Sequence, residues 1–154
     1  MPFPVSITGV IRLSRDVVGG ASIDRIAVRI EDLLDAAAAK AVIRRDSSVA
    51  FTAGVFRAVF SSNVLVSLDS GTLDIEDAGD EIRVTYHAST VQMLIVVTAM
   101  LFLMGTLMLC LGLPRLVAVW VLLIGWLWLF GMNYLITSIR FPRWLRHGLQ
   151  RSLI

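Results

Sequence analysis

The stretch LCLGLPRLVAVW, residues 109–120, contains Arg115, which is the only charged residue between Val91 and Ser138. Two long apolar runs flank it, residues 91–113 and residues 116–139. An α-helix rises about 1.5 Å per residue, so each run makes a helix of roughly 35 Å, against a hydrocarbon core of about 30 Å. One helix through both runs would be far too long to span a bilayer once, so we predict two transmembrane helices.

The residues between the two runs favour a turn over a kink. Gly112 is suited to end a helix, and Pro114 does not fit comfortably inside a continuing one. A charge such as Arg115 is costly in the middle of a bilayer and costs little at its surface. The sequence therefore predicts a helical hairpin that reverses at Pro114.

The overall charge conceals two opposite halves. Residues 1–90 carry nine Lys/Arg and twelve Asp/Glu, a net charge of −3, whereas residues 91–154 carry five Arg and no acid, a net charge of +5. The pI of about 9.2 does not indicate nucleic-acid binding, because the basic residues adjoin the apolar runs and not the polar half. The single cysteine, Cys110, excludes a disulfide framework within the chain.

Charge asymmetry also predicts the topology. Arg140, Arg143, Arg146 and Arg151 follow the second run, whereas the turn carries only Arg115. By the positive-inside rule the tail is cytoplasmic, and two spans place both ends of the chain on the same side. The first residues show no signal-peptide pattern, which agrees with this orientation. We expect a multi-pass protein of the inner (plasma) membrane with both termini in the cytoplasm.

Aromatic and basic residues near the ends of the runs are expected at the membrane interface. These residues are Arg115, Trp120, Tyr134, Arg140, Arg143, Trp144, Arg146 and Arg151. From Arg143 onward, four apolar side chains fall on one side of a helical plot: Trp144, Leu145, Leu149 and Leu153. This segment is therefore expected to be a basic amphipathic juxtamembrane helix on anionic headgroups, with a frayed tail as the alternative.

Small residues recur at seven-residue spacing in both runs, and small positions let helices approach closely in lipid. They are Thr98, Gly105, Gly112, Ala118 and Gly125. We expect the two stripes to face each other, although glycine is common in such helices and the spacing also arises by chance. Neither run contains an ionisable Asp, Glu, Lys, Arg or His, which argues against a transporter that acts alone.

Residues 1–90 have the pattern of a small α+β domain. Residues 5–13 alternate, with Val5, Ile7, Ile11 and Leu13 on one face of a predicted strand. Apolar residues at helical spacing then predict an amphipathic helix over residues 22–39, with Ser22 as its N-cap. Residues 41–45 and 49–60 are interpreted as strands, with a helix extension followed by one strand as the alternative.

Two tight turns are predicted at Ser70-Gly71 and at Ala78-Gly79, which would pair Leu68 with Leu73 and Ile75 with Ile82. These registers place one set of apolar side chains on a single face: Val64, Val66, Leu68, Leu73, Ile75, Ile82, Val84 and Tyr86.

The predicted fold class is α+β, a small antiparallel sheet with one covering helix followed by a two-helix transmembrane hairpin. The predicted domains are residues 1–90, the hairpin at 91–139, and the tail at 140–154.

The chain offers no convincing catalytic, cofactor or metal residues. His87 and His147 lie in different segments and Cys110 lies in an apolar run, which excludes a His/Cys zinc set within one chain. The acidic residues of 69–81 lack the spacing of a calcium loop, and Gly19-Gly20 lacks that of a phosphate-binding loop. We therefore expect no cofactor and no enzymatic activity.

The function that fits these patterns is display of a small cytoplasmic interaction domain on the inner membrane. The expected partners are the lipid bilayer, with anionic headgroups at the tail, and a protein partner or a second copy of the chain, but not nucleic acid. One alternative is a pore-forming lysis protein, because the two-span plan resembles that of some phage holins in topology alone. Another is an accessory subunit of a transporter or membrane-bound enzyme.

Overall fold

The structure, a computed structural model, describes residues 6–15, 21–53 and 64–153. The fold is α+β: a five-stranded antiparallel sheet, helices on one of its faces, and two long apolar helices that leave it. The predictions for Val5 and for the end of the strand over 49–60 lie outside the described residues.

The sheet brings together segments from both ends of the N-terminal half. Its strands are β1 (Ser6–Ser14), β2 (Ala41–Arg45), β3 (Ser48–Thr52), β4 (Ser70–Asp77) and β5 (Glu81–Ser89). Their spatial order is β1-β5-β4-β3-β2, and each neighbouring pair is antiparallel. In the described part of the chain β1 and β2 are thus the two edges, and the first strand pairs with the last.

The predicted amphipathic helix is confirmed as α1, Ile23–Ala36. The Ser22 hydroxyl accepts a hydrogen bond from the Arg25 amide at 3.4 Å, as an N-cap does. Its apolar stripe is buried against the sheet: Ile26, Ala27, Ile30 and Leu34. Strands β2 and β3 follow as a hairpin around Asp46 and Ser47, so the helix-extension alternative is wrong.

The predicted turn at Ser70-Gly71 is wrong, because both residues lie within β4 and Val64–Ser67 forms a short 3-10 helix. Gly71 is needed for a different reason. A Cβ atom there would lie 2.6 Å from Cε1 of Phe51 on the neighbouring strand. The glycine therefore accommodates an aromatic ring and makes no chain reversal.

The second predicted turn lies one residue later, at Gly79-Asp80. The Ala78 amide donates to the Glu81 carbonyl at 2.9 Å, and Gly79 adopts a φ of +84°. Ile75 consequently pairs with Val84 and not with Ile82. The pairing shifts by two residues, so the same side chains still share a face. The predicted apolar face is confirmed for Leu73, Ile75, Ile82, Val84 and Tyr86, all of which are buried.

Two helical segments follow the sheet. Helix α2 is Val91–Cys110, and after a short turn α3 covers Arg115–Trp126. A π-helical segment, Leu127–Gly131, leads directly into α4, Met132–Leu153. Residues 115–153 therefore form one uninterrupted helix about 58 Å long at 1.5 Å per residue. We name α2, the turn and residues 115–131 together the apolar hairpin.

The predicted boundary between residues 139 and 140 is not a helix end, and the tail differs from the one predicted. Phe141, Leu145 and Leu149 of α4 have no exposed surface and join the core of the sheet. The ring of Phe141 meets that of Tyr86 edge-on, with centroids 5.4 Å apart. The amphipathic pattern was correctly seen, but its apolar side packs on protein. The sheet thus has two covering helices, α1 and α4, where one was expected.

Candidate functional site: the apolar hairpin and its junction with the sheet

Among the described residues, two helical stretches are long and apolar enough to cross a membrane. They lie in Val91–Cys110, whose most apolar 18 residues have a mean hydropathy of 2.5, and in Arg115–Arg151, whose most apolar 18 residues have a mean hydropathy of 2.0. In each most apolar stretch only 11% of the residues are buried, whereas the core helix of a soluble protein is mostly buried. Phe102, Leu103 and Leu116 each expose more than 70% of their surface. Such a surface is suited to hydrocarbon and not to water.

The chain reverses at the residues that the sequence indicates. After α2 the Gly112 amide donates to the Leu109 carbonyl at 3.1 Å, and the Leu113 amide donates to the Met108 carbonyl at 3.2 Å. Gly112 has a φ of +78°, and Pro114 directly precedes α3. This pair of bonds is a Schellman motif, which satisfies the last carbonyls of α2 where no side chain could.

The small residues predicted to pack helices lie at three kinds of position. Gly105 is buried beneath Leu122, since a Cβ on Gly105 would be 2.6 Å from the Leu122 Cδ1 atom. A Cβ on Gly125 would lie 3.2 Å from Cδ2 of Leu101, and Ala118 is also buried. Gly112 belongs to the turn. Gly105 and Gly125 therefore each face a leucine of the opposite helix and not another small residue.

Thr98, the remaining predicted packing residue, makes a polar contact across the hairpin. The indole N–H of Trp126 donates to the Thr98 Oγ1 atom at 3.2 Å. In an apolar environment an indole N–H without a partner is costly, so this bond fixes the two helices in one register. The sequence analysis gave Trp126 no role, because its partner lies 28 residues away.

A row of aromatic rings leads from this contact to the sheet. Phe130 is fully buried and lies between Trp126, at a centroid distance of 5.2 Å, and Tyr134, at 6.1 Å. The Tyr134 hydroxyl donates to the Ser6 carbonyl of β1 at 3.1 Å. Four-residue spacing along one helix places the three rings on one side. The row connects the apolar hairpin to the edge strand of the sheet.

A second connection lies at the start of α2, and the sequence analysis missed it. Asp69, just before β4, accepts a hydrogen bond from the Gln92 amide at 2.7 Å and one from the Ser89 hydroxyl at 3.3 Å. Its carboxylate thus satisfies an amide at the positive end of α2. Burial raises the pKa of the Asp69 carboxyl above its ordinary value, and the hydrogen bond from Gln92 opposes that rise.

The predicted interface residues separate into three groups. Arg115 and Trp120 are exposed near the closed end of the hairpin, and Tyr134 and Arg140 lie near the sheet. The remaining four residues lie farther along α4 beside the sheet, where Trp144 packs against the core: Arg143, Trp144, Arg146 and Arg151. At about 1.5 Å per residue, Arg151 is roughly 25 Å from Tyr134 along the helix.

Within the described ranges, no group of three or more His, Cys, Asp and Glu side chains is placed to hold a metal ion. Comparison of the chain with family models, with curated proteins and with solved structures gives no match.

Proposed function

We propose that this chain is a multi-pass protein of the bacterial inner membrane that holds a small interaction domain in the cytoplasm. It acts by binding a partner protein or a second copy of itself, and not by catalysis. The apolar hairpin crosses the bilayer, the turn at Gly112 faces away from the cytoplasm, and both chain ends lie in the cytoplasm.

One observation supports this proposal more than any other: the second helix of the hairpin is also a core helix of the sheet domain. Residues 115–153 run without interruption from the turn to the far end of the sheet, where Leu145 and Leu149 are fully buried. A domain on a flexible linker would be free to rotate against its anchor. Here the domain is presented to the membrane in a fixed orientation, which suits a protein that displays a binding surface.

The uncovered face of the sheet is the surface that such a domain would display. The two covering helices, α1 and α4, pack on the opposite face. Val10 on β1 and Ile43 on β2 expose 53% and 56% of their surface among mainly polar neighbours. A transient protein interface is about as apolar as the rest of a protein surface, so a mainly polar face with a few exposed apolar side chains is compatible with one, and Val10 and Ile43 are positions from which to probe it.

Site-specific photo-crosslinking in intact membranes tests the proposal. A photoreactive residue at Val10 or Ile43 is expected to give a discrete adduct, either with another protein or with a second copy of the chain. The same residue at Leu113, in the turn, is the matched control and is expected to give no such adduct. Absence of a discrete adduct at both sheet positions would contradict the proposal. Leakage of a dye from cells on induced expression would favour the pore-forming alternative.

A further inference from the structure

A groove lies at the end of the sheet farthest from the apolar hairpin. More basic than acidic side chains line it. It has a volume of about 620 Å³, within the range of small-molecule sites. Three arginines line it from three different elements: Arg12 on β1, Arg83 on β5 and Arg146 on α4. We name these three residues and the cavity between them the arginine groove.

Two of these arginines lie directly opposite each other. Arg12 and Arg83 are partners in the register of β1 and β5. Like charges at directly opposed positions weaken a sheet, and Glu76 of β4, which lies opposite Arg83 on its other side, offsets part of that cost for Arg83 but not for Arg12 on the edge strand. A bound anion would reverse that cost.

Two of the acidic residues at or beside the groove are already engaged in ion pairs. Arg83 Nε donates to Glu81 at 2.7 Å, and Arg15 pairs with Asp77 at 2.6 Å. Among the described residues, Arg12 and Arg146 have no acidic partner within ion-pair distance, and of the two carboxylates that line the groove, Asp80 and Glu81, only Glu81 forms an ion pair. Arg83 also keeps its terminal N–H groups, since only Nε is used.

We propose that the arginine groove binds the phosphate group of a small soluble molecule. Arginine presents paired N–H donors that match the oxygens of a phosphate, and three guanidinium groups from separate elements can surround one. The amide of Gln150, which also lines the groove, supplies a neutral donor. Arg146 belongs to the continuous helix of residues 115–153, whose first part forms the apolar hairpin. The ligand would therefore contact the same helix that anchors the chain in the membrane.

The position of the groove favours a soluble ligand over a lipid headgroup. The turn between β4 and β5 adjoins the groove, whereas α2 begins immediately beyond the other end of β5, Glu81–Ser89. At about 3.4 Å per residue, this strand separates the groove from the start of the hairpin by roughly 27 Å.

Calorimetric titration of the full chain in a neutral maltoside detergent, with inorganic pyrophosphate at constant ionic strength, tests the proposal. Wild type is expected to bind saturably, and Arg12→Gln and Arg146→Gln are each expected to weaken binding by about tenfold. Arg25→Gln on α1, an exposed arginine remote from the groove, is the matched control and should bind as wild type does. Without pyrophosphate, Arg12→Gln should unfold at the same or a higher temperature, because it relieves the repulsion of Arg83.

Absence of saturable binding by wild type, or binding by both groove variants that is as tight as that of wild type, would overturn the proposal. A second arm separates the two sources of phosphate. In nanodiscs, pyrophosphate affinity should be the same with phosphatidylcholine alone as with added phosphatidylglycerol. If phosphatidylglycerol competes with pyrophosphate, and the competition is lost in Arg12→Gln and Arg146→Gln, the groove binds headgroups and the soluble-ligand proposal fails.

Discussion

Asp69 connects the sheet to the apolar hairpin through a single carboxylate. Its backbone amide donates to the Ser89 carbonyl, while its side chain accepts from the Gln92 amide in the first turn of α2. The end of β5 and the start of α2 are therefore held by the same residue. A substitution of Asp69 should therefore weaken the attachment of both β5 and α2.

Asp69→Ala should lower the free energy of unfolding by about 1 kcal/mol, because the Gln92 amide loses its acceptor. Asp69→Asn is the matched control: its amide oxygen can still accept that bond without the cost of burying a charge. Unfolding in mixed detergent micelles, followed by circular dichroism, measures both variants. If Asn destabilises as much as Ala, the capping role is wrong.

The free energy of unfolding should also depend on pH in a direction that the raised pKa of Asp69 determines. Burial raises the pKa of the Asp69 carboxyl in the folded state above its ordinary value of 3.8, so the folded protein binds the proton more tightly. The contribution of Asp69 to stability is therefore greatest below that value and declines as pH rises through the folded pKa. Relative to Asp69→Asn, wild type should lose stability over this window. A constant difference between the two across the pH range would contradict the assignment.

Single residues also show where sequence reasoning stops. Ser22 was predicted as a helix cap from its position alone and is one, because capping depends on residues three apart. Gly71 has the same local signature as a turn glycine, yet it accommodates the Phe51 ring of a strand about twenty residues away. From the sequence, Asp69 is only one member of the acidic run over residues 69–81, because its partner Gln92 lies 23 residues away. When the role of a residue depends on a partner far away in the sequence, the neighbouring residues do not reveal that role.

At the scale of elements, the apolar hairpin depends on close contact between two helices. Gly105 on α2 lies beneath Leu122 on α3, and the Trp126 indole bonds Thr98 nearby. In lipid, van der Waals contact and such hydrogen bonds are the main forces between helices. The hairpin should therefore be sensitive to the size of the side chain at position 105.

Gly105→Val should destabilise the packing of α2 against α3 by about 1–3 kcal/mol, because its side chain would overlap Leu122. Gly131→Val is the matched control, since a Cβ at Gly131 would meet nothing within 4 Å. Adding Leu122→Ala to Gly105→Val should restore part of the loss. The measurement is unfolding of the full chain in mixed micelles. Equal effects of the two glycine variants would contradict the observed packing.

The elements that could be predicted share one property: their signal lies in a short stretch. The turn at Gly112 and Pro114, the helix over residues 22–39 and the two-faced pattern of β4 and β5 were all visible in sequence. The exact register of β4 against β5 was not, because a turn displaced by one residue leaves the same side chains on the same face. The pairing of β1 with β5 has no local signal at all.

At the scale of the whole molecule, α4 belongs to two environments. Its first turns adjoin the hairpin through Phe130 and Tyr134, and its later turns bury Phe141 and Leu145 against the sheet. An amphipathic pattern shows that a helix has an apolar side, but it does not reveal whether lipid or protein covers that side. This is why the apolar side of the segment after residue 140 is expected on headgroups, whereas its residues Phe141, Leu145 and Leu149 lie in the core.

Leu145→Ala should destabilise the sheet domain by about 2–5 kcal/mol, since a fully buried leucine leaves a cavity when shortened. Arg143→Ala, on the exposed side of the same helix, is the matched control and should have little effect. Hydrogen exchange of amides in β1 and β5 is the measurement, because it reports on the sheet and not on the hairpin. Unchanged exchange in Leu145→Ala would place α4 away from the sheet.

Labelling of single cysteines from one side of the membrane tests the central claim most directly. In a Cys110→Ser background, Leu113→Cys marks the turn of the hairpin, and Arg25→Cys and Arg143→Cys mark the sheet domain. With a membrane-impermeant maleimide, Leu113→Cys should react in intact spheroplasts, and the other two only after the membrane is opened. If Leu113→Cys and Arg143→Cys react from the same side, α2 and α3 do not cross the membrane as a hairpin.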